Sequence, residues 1–206
     1  LLNVMVAAAM KAGRTLARDF GEVENPQVSL KGPGDFVSAA DKKAERTLVE
    51  ELSKARPGYG FLAEESAEIE GTDWAHRWII DPLDGTTNFL HGIPIFAISV
   101  ALEREGKIVA GIVYNPVLNE LYTAERGSGA FLNDRLLRVA ARKALPEALI
   151  GCGVPHLGNP PEPGDVDFSQ RLNRQTSGMR CLGSAAVELA WVASGRYDAY
   201  WHYRLE

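Results

Sequence analysis

Cysteine is scarce: two residues in 206, Cys152 and Cys181. That excludes the disulfide framework of a small secreted domain, and both read as small buried hydrophobes in a reducing compartment. Histidine is nearly as rare. His76, His91, His156 and His202 are scattered, with no two at metal-ligand spacing, so an organised zinc site is excluded and the four read as structural or surface groups. Long Lys/Arg runs are absent and the net charge is −5, which argues against a nucleic-acid surface. No apolar run is long enough to span a bilayer. The first ten residues are apolar apart from Asn3, but the cations Lys11, Arg14 and Arg18 follow them. A secretory signal has its charges first, so the expectation is a cytoplasmic protein with no membrane partner.

What is present is enough apolar residue, 46%, for one large domain or two small ones. Apolar spacing predicts a first helix over 4–20, stopped by 21–26, then a short strand at 28–31. Ser38 to Asp41 is a Ser-x-x-Asp helix start, with a stripe of Ala44, Leu48, Val49 and Leu52 ending at Pro57-Gly58. Strands are expected at 59–63 and 78–80, with a polar loop at 68–74 between them. Strand–turn–strand patterning over 95–103, 107–114, 120–124 and 130–132 predicts an antiparallel sheet. Further strands are expected at 149–154 and 196–203, and a weak helix at 166–175. A proline-rich loop fills 155–164, and a helix over 186–194 is closed by Gly195. The order implies an α/β layered architecture and not a doubly wound parallel sheet. The expected division is 1–145, a helix pair with the antiparallel sheet and a metal site, and 146–206, a partial α/β subdomain.

The centre of the chain is Trp78-Ile79-Ile80-Asp81-Pro82-Leu83-Asp84-Gly85-Thr86-Thr87-Asn88-Phe89. An apolar strand ends here in two carboxylates, and Gly85 opens a short helix whose N–H groups, with Thr86 and Thr87, suit a phosphate. Asp41, Glu64, Asp81 and Asp84 all stand at strand or helix ends. Clustered, they repel unless a cation neutralises them. All-oxygen ligation selects Mg²⁺ or a similar hard ion. Asp81, Asp84 and Glu64 are the expected metal ligands, joined by the Leu83 carbonyl, which the turn leaves free. Such a site activates water for in-line attack on a phosphate monoester. Thr86 would accept a hydrogen bond from that water and donate to Asp41, which helps to deprotonate it. Asp41 taken alone reads first as a capping residue in the first turn of its helix, where the dipole favours it. Ser184 reads as the N-cap of the last helix, and Gly183-Ser184-Ala185 as a second phosphate or hydroxyl contact.

The stretch 78–89 resembles the signature of the inositol monophosphatase family, the bacterial SuhB-type members in particular. Ala63-Glu64-Glu65-Ser66, the segment 35–41 with Lys31 before it, and Gly183-Ser184-Ala185-Ala186 resemble further segments of that family. The resemblance implies a sugar-phosphatase fold of alternating helix and sheet layers. It implies Mg²⁺ ligation by Glu64, Asp81, the Leu83 carbonyl and Asp84, with two or three ions in the complete family site. It implies water orientation by Asp41 and Thr86, phosphate contact by Asp84 to Thr87, and substrate hydroxyls lined by Gly183, Ser184 and Ala185. Lithium sensitivity, a homodimer and a small phosphorylated polyol substrate follow from the same likeness. The family's later Trp-Asp-x-Ala segment, with a further metal-binding aspartate, would fall beyond Glu206. A C-terminally incomplete chain, an incomplete second sheet and impaired hydrolysis are therefore expected. His202 falls where the family often has a glutamate that contacts substrate. Thr87-Asn88-Phe89 favours inositol phosphate over fructose 1,6-bisphosphate, histidinol phosphate or a phosphoadenosine nucleotide. A reading of another class, a catalytically weak regulatory or binding module, stands beside the enzyme.

Overall fold

The computed structural model describes residues 1–20, 28–32, 35–154 and 164–203, with 28–32 and 35–38 described by backbone alone. The expected helix stop at 21–26, the loop at 155–163, the Lys31 side chain, His156 and the ending at 204–206 lie outside the described residues. Helix α1 (Leu2–Phe20) and helix α2 (Ala39–Ala55) flank a short hairpin of β1 (Val28–Gly32) and β2 (Asp35–Ser38). Seven strands then follow: β3 (Tyr59–Ala63), β4 (Asp73–Asp84), β5 (Ala97–Arg104), β6 (Lys107–Asn115), β7 (Glu120–Glu125), β8 (Gly129–Leu132) and β9 (Arg135–Leu136). Helix α3 (Thr86–Leu90) interrupts them after β4. They form one sheet in sequence order.

The alternation of β5 and β6 shows how the sheet divides its faces. Ile98, Val100, Leu102, Ala110 and Ile112 are buried in one core with Met5, Ala8 and Leu16 of α1 and Leu48 and Leu52 of α2. Gly13 makes the contact close, since a Cβ there would lie 2.6 Å from the Tyr114 ring. The opposite face carries small residues, Ser99, Ala101 and Gly111, across an open cleft of about 520 Å³ from helix α5 (Ala185–Ala193). A second sheet has the order β11 (Gly178–Arg180), β10 (Leu149–Cys152), β12 (Ala199–Trp201), and α4 (Asp165–Gln175) precedes β11.

Two expectations change, those for the large sheet and for the central strand. The large sheet is mixed, because β3 and β4 run parallel; between them the chain turns back and Ile69 makes an antiparallel bridge with Phe61 before β4 begins. The second sheet is wholly parallel. The central strand does not end at Ile80. It begins at Asp73, inside the expected loop, and runs through Pro82 to Asp84. Pairing with β5 from His76 to Asp84, and with β3 at Asp73, outweighs the polar local sequence and the proline.

Candidate active site

The site grows from an irregularity in β4. Asp81 lies opposite Ser99 and Asp84 opposite Ala97, so β4 carries one residue more than its partner across that interval. In a regular strand, residues three apart point to opposite faces. The bulge resets the alternation, and both carboxylates line the same cleft. Pro82 sits in the bulge, where its missing N–H costs the ladder nothing. The Leu83 amide donates to Asp81 Oδ1 at 3.0 Å and braces the turn. Gly85 then takes φ +95°, and a Cβ there would stand 3.0 Å from the Ile95 carbonyl oxygen, so only glycine fits.

Helix α2 supplies the next group. Asp41 is 1% exposed and accepts the Thr86 hydroxyl at 2.9 Å. It stands in the first turn of α2, as the capping reading expects, and also faces the loop after β4. The same hydroxyl lies 3.0 Å from the Leu83 carbonyl oxygen. That oxygen is thus not free as expected, although a carbonyl has a second lone pair for another partner. Thr86 has one hydrogen to share between two acceptors, which leaves its own lone pairs for an incoming donor.

The acids act strongly on one another. Asp81 is pushed up to about 9, first by burial and then by the charges of Asp84 and Glu64; the Glu64 carboxyl also hydrogen-bonds to it. Asp84 is raised by burial, which outweighs the donors Ser184, Ala186 and Ala185, with Glu64 adding to the rise. No leading influence on either carboxyl is a cationic side chain. Hard oxygen donors whose charge is unrelieved fit a divalent hard cation. Among the described residues, however, no three His, Cys, Asp or Glu side chains are gathered tightly enough to cage an ion. Asp81, Asp84 and Glu64 are a cluster in charge, and a cation there would draw them in, together with the Leu83 carbonyl.

Ser184 is tied to the metal-site candidates as well as to its own helix. Its hydroxyl donates to Asp84 Oδ2 at 2.5 Å, and the Ala186 amide reaches the same oxygen at 2.7 Å. It also caps α5 by accepting the Val187 amide. Ser184, Ala185 and Ala186 therefore weld α5 to β4 through Asp84. Asn88 reinforces the weld, donating to the carbonyls of Ile95 and Leu182 at 2.6 Å each.

Two buried acids escaped the sequence reading. Glu45, 5% exposed, accepts the Glu65 amide at 2.8 Å and so holds the Glu64 segment in place. Glu188 is 1% exposed and accepts the Leu182 amide. The signal for Glu45 was its place on the stripe of Asp41, Leu48 and Leu52, where a polar residue needs an internal partner. Of the expected groups, the structure brings Asp41, Thr86, Leu83, Asp81, Asp84 and Glu64 together. Thr87 is exposed beside them. Cys181 is exposed and only Cys152 is buried, which corrects the reading of both as buried hydrophobes.

Residues 1–206 match the sequence model of the inositol monophosphatase family. An inositol-1-monophosphatase from Mesorhizobium japonicum is 65% identical over 201 residues, covering 98% of this chain and 76% of the relative. Among solved structures, the extragenic suppressor protein suhB from Bartonella henselae superposes with a TM-score of 0.94 at 60% identity, over all of this chain and 79% of that one. A more distant one, an IMPase/NADP phosphatase complexed with Mg²⁺ and phosphate, has a TM-score of 0.74 at 25% identity, over 89% of this chain and 69% of that one.

Proposed function

The chain belongs to the inositol monophosphatase family, and from that premise we propose that it hydrolyses an inositol monophosphate to inositol and phosphate with Mg²⁺. One observation carries the reading: the Thr86–Asp41 pair adjoins a bulge that turns two uncompensated carboxylates into one cleft. The metal-binding groups would be Asp81, Asp84, Glu64 and the Leu83 carbonyl. Bound Mg²⁺ would neutralise the phosphoryl charge and make water more acidic.

The rest is work for the chain itself. Thr86 Oγ1 accepts a hydrogen bond from the attacking water while Asp41 Oδ1 holds the Thr86 hydrogen, and the proton of the water passes toward that pair. The amides of Gly85, Thr86 and Thr87 receive the phosphate oxygens. Asp84, fixed by Ser184 and Ala186, keeps its remaining oxygen directed at the cleft.

The test is phosphate release from inositol 1-phosphate in Mg²⁺, with fructose 1,6-bisphosphate and a phosphoadenosine nucleotide as comparators. Asp81→Asn should lower release by about 100-fold or more and abolish Mg²⁺ binding in calorimetry, with an unchanged circular dichroism spectrum. Near-normal turnover in that variant would refute the metal assignment. Release from a comparator alone would move the substrate and keep the mechanism.

A further inference from the structure

Outside the site, the strongest cluster of reactive groups lies at the end of the parallel sheet. The pairing of β10 with β11 finishes at Gly151 opposite Arg180. The next residues on the two segments are Cys152 and Cys181. Neighbouring strands lie about 5 Å apart, and directly opposed residues share a face. That spacing is inside the roughly 4.4–6.8 Å range of Cα separations that a disulfide bridges. Both thiols are free; Cys152 is buried and Cys181 is exposed.

We propose that Cys152 and Cys181 form a peroxide-reactive dithiol, in which Cys181 is oxidised first and Cys152 closes an intramolecular disulfide. The division of labour follows from the surroundings. Three donors converge on the Cys181 sulfur: the Cys152 thiol first, then the amides of Val154 and Gly183. They pull Cys181 down to about 6 against the effect of burial. Cys152 is pushed up by its role as donor, by burial, and by the charges of Cys181 and Glu188. One sulfur is thus exposed and drawn toward its thiolate form by three donors, and the other is a buried thiol beside it, the arrangement of an attacking and a resolving cysteine.

The chemistry balances. The Cys181 thiolate attacks a peroxide oxygen, the O–O bond breaks, and a sulfenic acid and hydroxide form; the hydroxide takes a proton and becomes water. The Cys152 sulfur then attacks the Cys181 sulfur. The S–O bond breaks, and the hydroxyl leaves with the Cys152 proton as a second water. Two thiols lose two electrons, and hydrogen peroxide accepts them. Oxidation also removes the anionic acceptor of the Gly183 amide, directly before the Ser184 that holds Asp84.

The test uses the reduced full chain, hydrogen peroxide, intact-mass measurement and thiol titration, and it does not depend on phosphatase activity. The expected result is loss of both thiols, a mass lower by two hydrogens, no covalent dimer on a non-reducing gel, and full recovery with dithiothreitol. Cys152→Ser should stop at a sulfenic acid that a 1,3-dione reagent traps. Cys181→Ser should react at least about tenfold more slowly than wild type. Two persistent thiols in the wild type would overturn the proposal. So would oxygen addition without a bridge, disulfide-linked dimers, or equal rates for wild type and Cys181→Ser.

Discussion

Glu188 shows what a single polar residue does when it is set among apolar neighbours. It stands on α5 with 1% exposure, one carboxylate oxygen without a hydrogen-bond partner, and the other on the Leu182 amide. Burial pushes it up to about 7, against the donors Leu182 and Cys152, with Cys181 and Asp84 adding to the rise. A carboxyl raised in the folded state binds more protons there than in the unfolded chain, so stability falls as pH rises from about 4.5 to about 7 and is level above that. Glu188→Gln removes this dependence. The difference between variant and wild type in urea-midpoint stability should grow by on the order of 2 kcal/mol across that window. A constant difference would mean that Glu188 titrates normally. Asp41 and Glu45 on α2 are also buried, and each accepts a hydrogen bond from elsewhere in the chain, Asp41 from the Thr86 hydroxyl and Glu45 from the Glu65 amide.

Between elements, the decisive joint is α5 against β4. Ser184 serves two elements at once, capping α5 and donating to Asp84. Ser184→Ala should cost about 1–3 kcal/mol, from a lost cap and from a buried carboxylate oxygen deprived of one donor. It should also raise the carboxyl of Asp84 further, because a hydrogen bond that favours the charged form is gone. Chemical denaturation gives the first quantity and carboxylate infrared titration the second. A stability change below about 0.5 kcal/mol would show that the Ala186 amide alone holds the joint. The bulge in β4 is the other element-level device, and it makes two acids at an odd spacing neighbours on one face.

For the whole molecule, the acid cluster is a mutual repulsion that the proposed cation would relieve. Asp81 and Asp84 both hold their protons more tightly when folded. Without metal, stability should therefore fall as pH rises above the ordinary carboxyl range, until Asp81 titrates near 9. Mg²⁺ at about 100 times its dissociation constant adds about 2.7 kcal/mol, roughly 5–10 °C for a chain of this length. The gain in thermal midpoint should be larger at pH 8 than at pH 5.5. A midpoint that Mg²⁺ leaves unmoved at both would remove the metal from the site.

The stretch 78–89 was legible because its chemistry is local: Pro82, Gly85 and the paired acids declare a turn with oxygen ligands in adjacent residues. The helices α1, α2 and α5 were legible for the same reason, since their apolar spacing and end signals lie within a few turns. The long reach of β4 was not, because pairing with β5 and β3 outweighs the polar composition of 73–77 and the proline at 82. Nor was the parallel run of β3 beside β4, which depends on a turn back between them that local patterning does not encode. The sequence alone thus determined which acids and hydroxyls stand at the ends of the elements. Only the tertiary structure decided their company: Asp41 with Thr86, Asp84 with Ser184, and Cys181 with Cys152. Each of these pairs joins residues at least 29 apart in the chain, and burial and strand register choose such partners where proximity in sequence cannot.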